Sequence, residues 1–294
     1  MRLIRTAVDG RPRVVVESDG ATALATVAGS EFDDLPALLE ACGGEASRIS
    51  AGREIELDKS RLLRPVGAPG KIVCIGLNYR LHAEETGASL PQFPMLFSKY
   101  PSALTDPGAD IPLPPESSLV DWEAELVVVF GRRCRRVSAT EADAVVFGYT
   151  AGNDVSMRDF QGHTSQFLAG KTWDRSTPLG PAVIPASELG GASPDLAIKG
   201  ALNGSTVQDS RTNDLIFSVP ELVAYITTIM TMEPGDVVLT GTPSGVGFAE
   251  KPPRGLGDGD VYEVEIEGIG RLRNRFRDEA QLGSYVPRKK SRGV

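Results

Sequence analysis

Cysteine is scarce in this chain of 294 residues: Cys42, Cys74 and Cys134 are odd in number and show no Cys-x-x-Cys spacing. Such a set argues against a disulfide framework and against a cysteine zinc site. Long apolar runs are also missing, and none approaches the ~20 residues of a membrane span. The N-terminus, MRLIRTAVDG, lacks the apolar core of a secretory signal. Positive charge is in deficit, with a net charge of -8 and a pI of about 5.0. Neither nucleic acid nor an anionic membrane is therefore expected as the main partner. Nucleotide-binding loops are absent too: LTGTPSGVG, residues 239–247, has no Gly-Lys-Ser/Thr ending and no GxGxxG pattern. What remains is the composition of a globular chain, 41% hydrophobic and 24% charged, with a mean hydropathy of -0.11. A cytoplasmic location is the default expectation.

Residues 1–66 read as a small N-terminal α/β domain. RLIRTAV, the turn DGRP and RVVVES predict a hairpin, and DDLPALLEACGG predicts a short helix that ends at glycine. RLLRPVGAPG reads as a linker. From residue 71 to about 280 the chain is rich in short strands separated by Gly and Pro, and Asn203-Gly204 signals a tight hairpin. One helix is expected from about Val219 to Met230, opened by a Ser218/Glu221 capping box with Pro220 in the first turn. The tail, 287–294, is a small basic run. The predicted fold class is α+β, mostly β.

DWEAELVVVFG, residues 121–131, carries the first chemical signal. Glu123 and Glu125 stand two apart, so on a strand they share a face. Taken alone, a Glu-x-Glu pair usually marks a solvent-facing strand edge. The apolar run that follows points instead to a buried strand. Asp154 ends a second apolar stretch, AVVFGYTAGND, that could pair beside the first. Three carboxylates gathered without lysine or arginine between them would repel. A hard divalent ion, Mg²⁺ or Mn²⁺, resolves that repulsion and leaves positions open for an oxygen substrate. If DVSMRDFQ turns helical, Asp154, Arg158 and Gln161 share one face, suited to a substrate carboxylate.

Of the two histidines, His82 lies just after a predicted strand with Glu85 one helical turn on. A carboxylate beside an imidazole orients it as a general base. His163 has no evident partner and reads as a surface residue. Lys171, in LAGKTWDRSTPLGP, could balance a developing oxyanion. The 239–247 loop could hold a carboxylate through its amides and the Thr242 hydroxyl.

Together, IGLNYRLHAEE, DWEAELVVVFG, GYTAGNDVSMRDFQ, GKTWDRSTPLGP, NGSTVQDSRTNDLIFSVPELVAYIT and EPGDVVLTGTPSGVG resemble the fumarylacetoacetate hydrolase family over roughly residues 71–270. The resemblance implies a mixed β-sandwich roll, usually a homodimer, with Mg²⁺ or Mn²⁺ held by Glu123, Glu125 and Asp154. It implies a His82–Glu85 dyad on a mobile lid, Lys171 as the charge-stabilising lysine, and substrate contacts from Arg158, Gln161 and Thr242. A small 2-oxo acid is the expected substrate. The dyad favours hydrolytic C–C cleavage of an acylpyruvate-like 2,4-dioxo acid. Decarboxylation of an oxaloacetate-like acid and isomerisation or hydration of a 2-oxo dienoate are the alternatives. A non-catalytic binding protein on the same fold is the remote one.

Overall fold

The computed structural model describes residues 1–283, so the basic tail 287–294 lies outside the described residues. Arg2–Val8 and Arg11–Ser18 form the expected hairpin, in register from Arg2↔Glu17 to Val8↔Arg11. Asp9 and Gly10 turn it with φ of 52° and 78°, a pair of positive φ values whose twist matches that of the strands. The short helix is Leu35–Cys42, capped by Asp34 and closed by Gly43 at φ 62°. Leu35, Leu38, Leu39 and Cys42 fall on its buried face. Arg2–Val8 also pairs with Thr177–Pro185 at Leu3↔Val183, so one 13-stranded sheet runs from residues 1–66 into the rest of the chain.

At the heart of that sheet lies Ala124–Phe130, flanked antiparallel by Val146–Asn153 and Val237–Leu239. Val237–Leu239 pairs in parallel with Ile72–Gly76. Every residue of Ala124–Phe130 and of Val146–Asn153 is buried, because layers cover both faces of the sheet. Strand alternation divides the work. Leu126, Val128 and Phe130 join one core with Trp122, Tyr262 and Phe276. Val127 and Val129 join the other with Leu35, Leu38 and Leu39.

A five-stranded sheet supplies much of the first core, in the order Asp110–Leu113, Gly270–Asp278, Val261–Ile266, Ala197–Leu202, Ser205–Arg211. Asn203 and Gly204 turn its last hairpin with positive φ, as their types require. The helix Val219–Ile229 begins at Ser218, whose backbone and hydroxyl both donate to Glu221. The architecture is the mostly-β α+β roll the sequence indicates. None of the described helices is long and apolar enough to cross a membrane.

Candidate active site

Glu123 and Glu125 are not at a wet strand edge: they are 5% and 1% exposed. The strand they enter sits mid-sheet, and its antiparallel partner delivers Asp154. The register Ala124↔Asn153 continues one step as Asp154 N–H donates to Glu123 O at 3.0 Å. One oxygen from each of Glu123, Glu125 and Asp154 lies within 4.8 Å of the others. The expected meeting of the two apolar stretches is what brings the three together.

Two features differ from expectation. The carboxylates are not free of cations. Lys171 Nζ bridges Glu123 Oε2 at 2.7 Å and Asp154 Oδ2 at 2.9 Å. Lys99, wholly buried, pairs with Asp154 Oδ1 at 2.6 Å, and Arg158 reaches Glu123 Oε1 at 2.7 Å. Lys99 lies many residues from Asp154, and Lys171 and Arg158 many residues from Glu123, so local spacing does not reveal these pairs. Secondly, DVSMRDFQ is not one helix. Ser156–Met157 pairs with Val120–Asp121, and only Arg158–Gln161 is helical. Sheet pairing outweighs helix propensity here. Arg158 still arrives at the site, with Nε on Asp121 Oδ2 at 2.8 Å and Nη1 on Gln161 Oε1 at 3.0 Å.

Opposite the triad, the helix Arg80–Thr86 carries the dyad. His82 Nδ1 lies 3.0 Å from Glu85 Oε2, and their side chains are only 12% and 25% exposed. A carboxylate can only accept, so Nδ1 carries the proton and Nε2 is left as the basic nitrogen. Glu85 Oε1 in turn accepts from Gly245 N–H at 2.9 Å, which ties the dyad to the glycine loop. Gly245 has φ +97°, and a Cβ there would meet Val207 O at 1.9 Å, so only glycine fits. His163 is exposed, against Phe160, as expected of a surface residue.

Thr242 reaches the cavity, but its hydroxyl donates to Ala124 O at 3.0 Å and accepts from Gln208 Nε2 at 2.9 Å. The hydroxyl is committed to holding the loop on the strand. A cavity of about 400 Å³ is lined by His82, Glu123, Arg158, Gln161, Lys171 and Thr242 among others. Every candidate catalytic or substrate-contacting residue except Glu85 thus faces one space.

The model of the family described as "Fumarylacetoacetate (FAA) hydrolase C-terminal" matches residues 71–277. The chain belongs to the fumarylacetoacetate hydrolase family. It is 43% identical over 215 residues to the mitochondrial oxaloacetate tautomerase Fahd2a of Rattus norvegicus, covering 72% of this chain and 68% of that protein. Among solved structures it resembles a fumarylacetoacetate hydrolase from Exiguobacterium antarcticum, with TM-score 0.81, 32% identity and coverage of 95% and 99%. A 5-carboxymethyl-2-hydroxymuconate delta-isomerase from Mycobacterium smegmatis gives TM-score 0.76, 34% identity and the same coverage. The chain is thus an enzyme of the fumarylacetoacetate hydrolase family.

The donor set of this family member fits a hard divalent ion. All three candidate ligands are carboxylates, and they are unequally served. Lys171, Arg158 and Lys99 neutralise Glu123 and Asp154, whereas Glu125 has only the Gly241 N–H, at 2.7 Å on Oε2. Among the described residues no ion pair reaches Glu125. Burial, and then the charges of Asp154 and Glu123, push its carboxyl well above the ordinary range. Burial also opposes ionisation of Glu123, but Lys171 and Arg158 more than offset it and lower that group to about 2. Lys171 is raised: burial works against its charge, and Asp154 and Glu123 overcome it.

These directions give a prediction. A raised folded value at Glu125 contributes stability that is full below the ordinary carboxylate range and lost as pH rises through that value. Glu123 acts oppositely, contributing above the ordinary range and losing its effect as pH falls towards about 2. Metal-free protein should therefore lose stability from Glu125 as pH rises beyond the ordinary carboxylate range and through its raised folded value. Mg²⁺, which displaces that proton, should restore it. Calorimetric Tm values with chelator and with Mg²⁺ should show an increment that grows with pH. A constant increment would contradict the assignment.

Three supporting residues were not singled out from sequence. Lys99 is a polar residue in a half-apolar strand end, FSKY. Asp121, fully buried, accepts from Trp122, Gly247 and Phe248 N–H and from Arg158. Gln208, also buried, accepts from Ala124 N–H and donates to Thr242 Oγ1 and Pro243 O. The signal for each was faint: one polar side chain next to a motif, whose partners lie many residues away.

Proposed function

We propose that this enzyme moves a proton at C3 of a 2-oxo acid, interconverting its keto and enol forms with a divalent ion as cofactor. The single observation that carries the reading is that His82, held by Glu85, faces the same cavity as Glu123, Arg158 and Lys171. The named activity of the rat relative supports it. Glu123, Glu125 and Asp154 would hold Mg²⁺ or Mn²⁺, and the bound ion supplies Lewis acidity towards the substrate's carbonyl oxygen.

The residues of the chain do the rest. His82 Nε2 accepts a proton from C3 of the keto form, and a proton is returned to the oxygen at C2, so no atom is gained or lost. Glu85 holds the imidazole in the tautomer this needs and steadies its protonated form. Lys171, 5.2 Å from the centre of the Phe97 ring, supplies positive charge in a dry wall as negative charge develops on oxygen. The free amide NH₂ of Gln161 is placed to donate to the substrate carboxylate.

Hydrolytic C–C cleavage is the second reading, favoured by the same dyad because an oriented imidazole can also deprotonate water. Two labels separate the readings. In D₂O with Mg²⁺, the protein should exchange one of the two C3 hydrogens of 2-oxohexanoate stereospecifically, and chelator should stop it. In ¹⁸O-labelled water, an acylpyruvate should release no labelled acid, because cleavage would have to draw the acid's new oxygen from water. Label in the acid without C3 exchange would favour the hydrolase instead.

A further inference from the structure

A buried amide stands beside the ligand strand. Gln208 lies on Ser205–Arg211, at the edge of the five-stranded sheet, and is 1% exposed. All four hydrogen-bonding positions of its side chain are used. Oε1 accepts from Ala124 N–H at 2.9 Å and from the Tyr262 hydroxyl at 2.5 Å. Nε2 donates to Thr242 Oγ1 at 2.9 Å and to Pro243 O at 2.8 Å. Room for this junction is built in. A Cβ on Gly200, the cross-strand partner of Gln208, would lie 2.0 Å from the Tyr262 hydroxyl.

The four bonds join two parts of the site. Ala124 lies between Glu123 and Glu125, so one side of the amide holds the strand that carries both carboxylates. The other side holds Thr242 and Pro243, in the loop whose Gly245 N–H donates to Glu85 Oε1 at 2.9 Å. A second route reaches the same glycine. Tyr262 stacks on Trp122 with ring centres 5.9 Å apart, and Trp122 Nε1 donates to Gly245 O at 3.0 Å. Val207, next to Gln208, packs its carbonyl against the Gly245 backbone.

Glu85 depends on this loop. Its side chain is 25% exposed, and a glutamate near water has many rotamers open to it. Two bonds select one of them: Oε2 to His82 Nδ1 and Oε1 to Gly245 N–H. Without the second, water competes for the carboxylate, and the bond that keeps the His82 proton on Nδ1 weakens.

We propose that Gln208 is a positioning residue: it sets the 239–247 loop against the ligand strand, and the loop sets the tautomer of His82 through Glu85. The inference rests on the proposed use of His82 Nε2 as the base. It goes beyond that reading by naming what keeps this nitrogen free of its proton.

The test uses full-length, Mg²⁺-loaded protein labelled with ¹⁵N in histidine. The chain has two histidines, and the exposed His163 serves as the internal reference. At a pH where both rings are neutral, His82 should carry its proton on Nδ1. Gln208→Met keeps the length of the side chain and removes all four bonds. It should move His82 towards the Nε2–H form of an unconstrained ring and leave His163 unchanged. It should also lower kcat for C3 exchange by ~10–10²-fold, with a smaller change in KM, as a misplacement of about 1 Å would. A folded variant with a lower Tm but unchanged His82 shifts and kcat would make Gln208 merely structural and overturn the inference. If Gln208→Met does not fold, Trp122→Phe carries the test, because it keeps the stacked ring and removes only the N–H to Gly245 O. It should move the His82 tautomer in the same direction, and unchanged shifts there would overturn the inference. The two readouts also separate this inference from the reaction. A tautomer shift in the variants, with no C3 exchange by the unaltered protein, keeps the positioning role and defeats the reaction. Exchange by the unaltered protein with no tautomer shift in the variants does the reverse.

Discussion

Asp154→Ala is expected to abolish both metal binding and turnover. Asp154 offers one of only three carboxylates in the donor cluster, and it is also the partner of two buried lysines. Its loss leaves Lys99, 0% exposed, without an anion. Breaking a buried pair in this way typically costs about 3–5 kcal/mol, so the alanine protein should also melt earlier. Asp154→Asn keeps the volume and hydrogen-bonding capacity, and it separates the two effects. It should fold, and it should still fail to bind Mn²⁺ in a calorimetric titration. A folded Asp154→Asn protein with undiminished Mn²⁺ affinity would move the metal away from this triad.

The second large effect is expected at His82. Replacement by alanine should lower kcat by ~10²–10⁴-fold, the range for losing a general base, with metal affinity nearly unchanged. His82 is not among the clustered ligands, and the helix Arg80–Thr86 has its own closures. Tyr79 pairs with Leu215, and Gly87 ends the helix at φ 67°. The variant should therefore fold. Steady-state kinetics together with Mn²⁺ titration test both halves of the statement. Unchanged turnover would place the base elsewhere, whereas a parallel loss of metal would make His82 part of the metal's surroundings.

What sequence alone could determine followed from periodicity and local chemistry. The alternation in DWEAELVVVFG places Glu123 and Glu125 on one face, and the apolar run makes their strand a buried one. The i, i+3 spacing of His82 and Glu85 forecasts their contact, because one helical turn closes it without help from the rest of the fold. Caps and turns at Ser218, Gly43 and Asn203-Gly204 are likewise local, and they appear where their residue types put them.

Tertiary structure decided the electrostatics. Nothing near DWEAE announces that Lys99, Lys171 and Arg158 will surround its carboxylates, since those partners come from other strands and helices. Whether Asp154 begins a helix or continues a strand was settled by the pairing of Ser156–Met157 with Val120–Asp121. The tie between Glu85 and the glycine loop spans 160 residues, and the Thr242 hydroxyl is spent on Ala124 and Gln208. Short-range rules place a side chain on a face. Which charges meet across that face depends on long-range pairing, because Coulomb energy in a buried site is set by distance in space rather than along the chain.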